Sequence, residues 1–180
     1  MGRRGGGLLL DLVAIATCWF GLTMLTGCNT VTVTDPAVPV FHNVRELAEA
    51  SSVIVIGVPQ SQNVLPASEH VGDSMVTVVK VETVLKASIE LNSYNTVVVN
   101  QPISRPDASY PPILAIDFRY LLYLAPEDKT DPSPSVFLVV GPGAGQWIAS
   151  NPSNPTLFTS VAPDPINNLP TSLSKDSALG

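Results

Sequence analysis

Val53-Ile54-Val55-Ile56-Gly57-Val58 is a compact β-branched run interrupted only by Gly57, too short for a helix of normal length and suited to a buried strand. Upstream of it the spacing is helical: Asn43 precedes Val44, Leu47 and Ala48, with Glu46 three positions after the asparagine. A side-chain oxygen at the cap and a carboxylate at the third position satisfy the free amides of a helix start, so a short helix is expected, ending near Ser51 or Ser52. Downstream the period is two. Residues 74–84 carry Val76 and Val78 and then, one position out of phase, Val79, Val81 and Val84, a slip that predicts a bulge in a bent strand. Residues 94–100 give a further strand through Val97-Val98-Val99. Residues 118–124 give another, with Tyr120 and Leu122 on one face and Leu121 and Tyr123 on the other. A late pair, 136–140 and 146–149, is joined by Gly141-Pro142-Gly143-Ala144-Gly145, and residues 156–161 read as a final edge strand.

Short strands at this spacing with one helix and proline-rich connections predict a mainly β fold, a small OB-like or netrin-like barrel. The segments 101–112 and 127–135 are expected to be exposed loops. Residues 42–162 are read as a single mainly β domain. Residues 163–180 hold few large apolar side chains and no period, and are expected to be a disordered tail.

The N-terminal pattern is of another kind. Arg3 and Arg4 precede an apolar stretch that starts at Leu8 and is interrupted by Asp11. Its uninterrupted part, 12–25, is shorter than the roughly 20 residues a helix needs to cross a bilayer, so an export signal fits better than a spanning anchor. The stretch ends in Leu25-Thr26-Gly27-Cys28, which resembles the lipobox of bacterial lipoproteins. That resemblance implies cleavage before Cys28, a diacylglyceryl group on its thiol and attachment to the cell membrane on the extracytoplasmic side. Residues 1–27 are then the lipoprotein signal peptide and 28–41 a tether, rich in Thr, Val and Pro, with room for one short strand. Two or more acyl chains hold a domain at the membrane durably, because each buried methylene contributes about 0.8 kcal/mol.

Charge and cysteine content narrow the chemistry. The chain has 9 basic and 15 acidic side chains, a net charge of −6, and loss of Arg3, Arg4 and Asp11 with the leader makes it one unit more negative. Nucleic-acid binding is disfavoured, since phosphate contacts need clustered lysine and arginine. Cys18 falls in the leader and Cys28 is the residue to be lipidated, leaving no thiol for a disulfide, a nucleophile or a zinc site.

The order Leu47-Ala48-x-Ala50-Ser51-Ser52-Val53-Ile54-Val55-Ile56-Gly57, then Val79-x-Val81-x-x-Val84-Leu85-Lys86, Val97-Val98-Val99, the tyrosine strand Tyr120-Leu121-Leu122-Tyr123-Leu124, and Val139-Val140-Gly141-x-Gly143-x-Gly145 resembles small exported bacterial proteins with a netrin-like or tissue-inhibitor-of-metalloproteinase-like barrel. The resemblance covers about residues 47–149. Ala87 stands where that pattern has a turn glycine, and Asp117 where it has a glycine before the tyrosine strand. It implies an OB-type barrel. Zinc binding through a free N-terminal cysteine, as in the tissue inhibitors, is not expected here because lipid would occupy Cys28.

No enzyme signature stands out. His42 and His70 are the two histidines, and His70 with Glu69 and Asp73 reads as a solvated turn. The serine-hydrolase elbow is missing, and Gly141–Gly145 lacks the Gly-Lys-Ser/Thr ending of a phosphate-binding loop and leads into Trp147-Ile148, not a helix. The Glu127, Asp128 and Asp131 cluster reads as a charged hairpin end. No catalytic residue, metal site or cofactor is expected. Tyr120 and Tyr123 are expected to pack in the core, whereas Tyr110, between Ser109 and Pro111-Pro112, is the candidate recognition residue in an exposed loop. The expectation is therefore a membrane-anchored, non-catalytic interaction or structural module for an envelope protein or cell-wall component. The alternative is a carrier or sensor of a lipidic or other small apolar ligand held inside the barrel.

Overall fold

Asn43 starts helix α1 (Val44–Ala50) in a computed structural model that describes residues 39–66, 72–91, 95–103, 112–131, 133–141, 143–153, 156–161 and 167–180. The Asn43 side-chain oxygen accepts from the Glu46 N–H at 2.9 Å, and the Glu46 carboxylate accepts from the His42 N–H at 2.8 Å. The expected capping arrangement is present. At the other end Ser51 Oγ donates to the Leu47 carbonyl, and Lys86 Nζ donates to the carbonyls of Ala48 and Ser51, each at 2.6 Å. A lysine reaching across from a strand thus satisfies the end of a helix of only 7 residues.

The strands are β1 (Val53–Leu65), β2 (Ser74–Ala87), β3 (Thr96–Pro102), β4 (Tyr120–Pro126), β5 (Val136–Val139), β6 (Gln146–Ala149), β7 (Leu157–Ser160) and β8 (Ser172–Ser174). Their order is β1-β2-β3-β5-β4-β6-β7-β8, and pairing of β1 with β4 closes the first five into a barrel. The β3–β5 pairing is parallel and the other ladders are antiparallel. The fold is mainly β, an OB-like closed barrel with one short helix.

The predicted bulge takes a different form. The β1–β2 ladder shifts register between Ile54 and Val55, between Ile56 and Gly57, and between Pro59 and Ser61. The first two shifts pass over Leu85 and Glu82 in β2. The third leaves Gln60 of β1 opposite the Val78–Val79 step, so the irregularity expected there lies in the partner strand. Thr77 and Val79 keep one inward phase, and both are fully buried. Bulges in both strands bend the long hairpin around the barrel.

Alternation along β1 and β4 divides the interior in two. Val53, Val55, Tyr120, Leu122 and Leu124 point into the barrel with Val79, Val97, Val99, Leu114 and Phe137. Ile54, Ile56, Leu121 and Tyr123 point outward, under a second layer formed by Phe41, Leu47, Ala48, Trp147, Phe158, Leu173 and Ala178. Strands β1 and β4 are therefore buried on both faces, as their unbroken apolar runs require.

Three expectations about boundaries are corrected. Phe41 was placed in the tether but is only 5% exposed; its N–H donates to Asn167 Oδ1 at 2.6 Å and its carbonyl accepts from the Asn168 N–H. The tail expected to be disordered from residue 163 instead forms β8 and a 3-10 turn (Lys175–Ser177), with Leu173 and Ala178 buried against the outer layer. Tyr123 supplies the reason: its hydroxyl donates to the Ala178 carbonyl at 2.8 Å, giving a weakly apolar segment a buried polar anchor. Gln101, expected in an exposed loop, lies within β3, one residue before its end, and is 3% exposed.

The two departures from the barrel pattern also find a structural setting. Asp117 has φ +67°, a left-handed conformation that aspartate tolerates better than most residues. Ala87 pairs with Val53 at the end of the β1–β2 ladder, where no left-handed backbone is required.

Candidate functional site

Leu25, Thr26, Gly27 and Cys28, and also Tyr94, Tyr110 and His70, lie outside the described residues. What the described residues show is how the barrel, its mouth and its surface are built.

The barrel interior is filled. Val53, Val55, Val79, Val99, Leu114, Leu122 and Leu124 are at 0% exposure, and Tyr120 and Phe137 at 2% and 3%. Tyr120 and Tyr123 are core residues on opposite faces of β4, as the strand spacing predicted. Tyr120 Oη accepts from the Ala115 N–H at 3.0 Å. Burial pushes both phenols above the ordinary tyrosine range, Tyr123 the further. Both hydroxyls are engaged in hydrogen bonds to the backbone, Tyr120 with Ala115 and Tyr123 with Ala178.

One polar network enters this interior. Gln101 Nε2 donates to Gln146 Oε1 at 3.2 Å, Gln146 Nε2 to the Pro112 carbonyl at 3.0 Å, and the Leu114 N–H to Gln101 Oε1 at 3.1 Å. Gln62 Nε2 donates to Thr77 Oγ1 at 3.3 Å and to the Leu114 carbonyl. Three amide side chains from β1, β3 and β6 thereby pin the 112–114 segment, and Leu114 becomes a plug in the barrel core. Sequence reading missed this group, because a single glutamine at the end of an apolar strand carries no signal until its partners are known.

The glycine-rich connection is a strand link and not a phosphate cradle. Tyr123 of β4 receives both of its ends: its carbonyl accepts from the Val140 N–H and its N–H donates to the Gly145 carbonyl, each at 2.9 Å. A Cβ on Gly145 would sit 2.7 Å from the Val140 carbonyl oxygen, so β5 and β6 can approach one point of β4 only with glycine there. Trp147 Nε1 donates to the Ala144 carbonyl at 2.8 Å and seals the loop against the outer layer.

On the surface, Arg119 grips Glu82 through two bonds, Nε to Oε2 at 2.5 Å and a terminal nitrogen to Oε1 at 3.0 Å, and also donates to the Pro152 carbonyl. The Arg119 hydrogen bond holds the Glu82 carboxyl below the usual carboxylate range, and the same bond raises the guanidinium. Glu82 is one of the extra residues of the β1–β2 ladder, so the bulge aims the carboxylate at Arg119. Hydrogen bonds from Thr130 lower Asp128 in an exposed turn. Among the described residues no three of His, Cys, Asp and Glu are grouped to hold a metal ion, and His42 is exposed beside the helix start. No helix among the described residues is long and apolar enough to cross a membrane.

Two depressions lie on the surface of the described residues. One, of about 320 Å³, lies between the β2–β3 and β4–β5 connections and is lined by Glu90, Leu91, Thr96, Ser133, Ser135 and Phe137 among others. The other, of about 530 Å³, runs between the start of α1 and β8. Comparison of the sequence with known protein families and with curated proteins finds no match.

Proposed function

We propose that this chain is a lipoprotein of the bacterial cell envelope, held to the membrane on the extracytoplasmic side by acyl chains on Cys28, and that its barrel is a non-catalytic interaction module for an envelope protein or a cell-wall component. The observation that carries the second half is the filled interior. With Val53, Val55, Val79, Val99, Leu122 and Leu124 fully buried and packed together, recognition has to use the outer surface. A lipidic ligand inside the barrel would require those side chains to part, at the cost of the core that closes the sheet. The first half rests on Leu25-Thr26-Gly27-Cys28 following a basic and then apolar leader.

Metabolic labelling with palmitate tests the anchor. The wild-type chain is expected to take up label and fractionate with membranes, and Cys28→Ser to lose the label and accumulate as an uncleaved precursor. A labelled Cys28→Ser chain, or an unlabelled wild-type protein released into the soluble fraction, would contradict the assignment.

A further inference from the structure

The sheet closes on itself through β1 and β4 but ends at β8, which has a neighbouring strand on one side only among the described residues. Two bonds at its ends fix the phase of the ladder: the Ser160 N–H donates to the Thr171 carbonyl at 3.0 Å, and the Lys175 N–H to the Thr156 carbonyl at 3.1 Å. The pairs Thr159–Ser172 and Leu157–Ser174 are then the non-bonded pairs, and Phe158–Leu173 is the bonded one. Residues of non-bonded pairs turn their N–H and C=O groups toward the opposite edge. The peptide groups of Ser172 and Ser174 therefore face away from β7. Both residues line the groove of about 530 Å³, whose other wall is Asn43, Val44 and Arg45, whose end is bounded by Ser177 and by Gly180 lying against the Arg45 backbone, and whose apolar part comes from Pro170 and Leu173.

The chemistry of this groove selects its occupant. Outward peptide groups two residues apart are matched in spacing and direction by another extended polypeptide, with side chains alternating between the groove and solvent. Arg45 adds a charge preference. Its guanidinium is paired with Glu49 at 3.0 Å, but the two side chains are 77% and 66% exposed, and such a pair contributes little and exchanges readily. We propose that an extended segment of a partner protein adds to β8 as a further strand, placing one of its carboxylates on Arg45. This rests on the interaction-module reading and names the surface it uses. A second copy of this chain is the poorer occupant, because a three-residue edge walled by α1 offers far less than the roughly 1,200–2,000 Å² that a stable protein interface buries.

The test is amide hydrogen exchange of the full chain in detergent micelles, with blocked pentapeptides of alternating Thr and Val as probes, a single Glu or Lys walked through the five positions. Glu peptides at saturation should slow exchange at the Ser172 and Ser174 amides by about tenfold. Lys peptides, and Glu peptides N-methylated along the bonding edge, should not. Arg45→Glu, a surface change that leaves the core untouched, should reverse the preference toward Lys. Ser172→Pro removes one outward N–H while keeping the inward pairing with β7, and should weaken the Glu peptides about tenfold by loss of a ladder bond. The proposal is overturned if the Ser172 and Ser174 amides are already slow without peptide, if no peptide of the set slows them, or if N-methylated peptides bind equally well. It is also overturned if the chain sediments as a dimer that Ser172→Pro dissociates, which would give the edge to a second copy. Any of these removes the groove and leaves the palmitate test of the anchor unaffected.

Discussion

The two hydrophobic layers share β1 and β4 yet are built on different plans. The inner one is mostly aliphatic, with Val53, Val55, Val79, Val97, Val99, Leu122 and Leu124 joined by Tyr120 and Phe137, nearly all of it drawn from the barrel strands. The outer one carries the largest aromatic side chains and is assembled from distant pieces: Phe41 from the entry to the domain, Tyr123 from β4, Trp147 from β6 and Phe158 from β7, with Leu173 and Ala178 from the C-terminal segment. The inner layer is held by closure of the sheet on itself, with the Gln62, Gln101 and Gln146 network fastening its Leu114 plug. The outer layer is fastened by specific hydrogen bonds, from Trp147 to Ala144, from Tyr123 to Ala178 and from Phe41 to Asn167. One layer makes the fold, and the other binds the chain ends to it.

The strongest way to break the outer layer is Trp147→Ala. It removes the largest fully buried side chain and should lower stability by about 3–5 kcal/mol in chemical denaturation, with amides at Leu173 and Ala178 exchanging first. The matching inner change, Leu122→Ala, should cost about 3 kcal/mol and raise exchange throughout β1–β5 together, because it opens the barrel and not an attachment. If both variants lose protection in the same order, the distinction between the layers fails. Gln146→Leu tests the polar plug: it leaves Gln101 and the Pro112 carbonyl short of partners and should cost about 2 kcal/mol. Tyr123→Phe keeps the ring and loses the bond to Ala178, for about 1 kcal/mol, with the effect confined to the C-terminal segment.

These layers were unequally legible. The inner one follows from period-two runs, and Asn43 with Glu46 announces the helix that lies over it in the outer one, because local chemistry decides both. The C-terminal segment was read as disordered since Leu169, Leu173 and Ala178 are isolated among Pro, Ser and Asn. It is ordered by partners far away in sequence, Asn167 meeting Phe41 across 126 positions. Gln62, Gln101 and Gln146 were invisible for the same reason. The resemblance of Leu25-Thr26-Gly27-Cys28 to a lipobox was legible because it is a linear pattern that no fold has to assemble. The groove beside β8 depends on the phase of a ladder that the sequence alone did not reveal.

The smallest expected effect is electrostatic. Glu82 titrates below its ordinary value when folded, so its pairing with Arg119 stabilises the protein above the unfolded carboxyl pKa and is lost as pH falls through the depressed folded value. Both side chains are partly exposed, which limits the effect to about 0.5 kcal/mol. Comparing Glu82→Gln with the parent in acid titrations should show the parent losing its small advantage only at the acid end. An advantage that instead disappears near neutral pH would place the coupling elsewhere.

Native mass spectrometry of the protein extracted in mild detergent from its host's membranes tests the central claim most directly, because one spectrum reports the anchor and the contents of the barrel. A mass beginning at Cys28 plus acyl chains, alone or with a protein companion, is the expected result. A mature chain without acyl groups, or one releasing a bound lipid on activation, would contradict it.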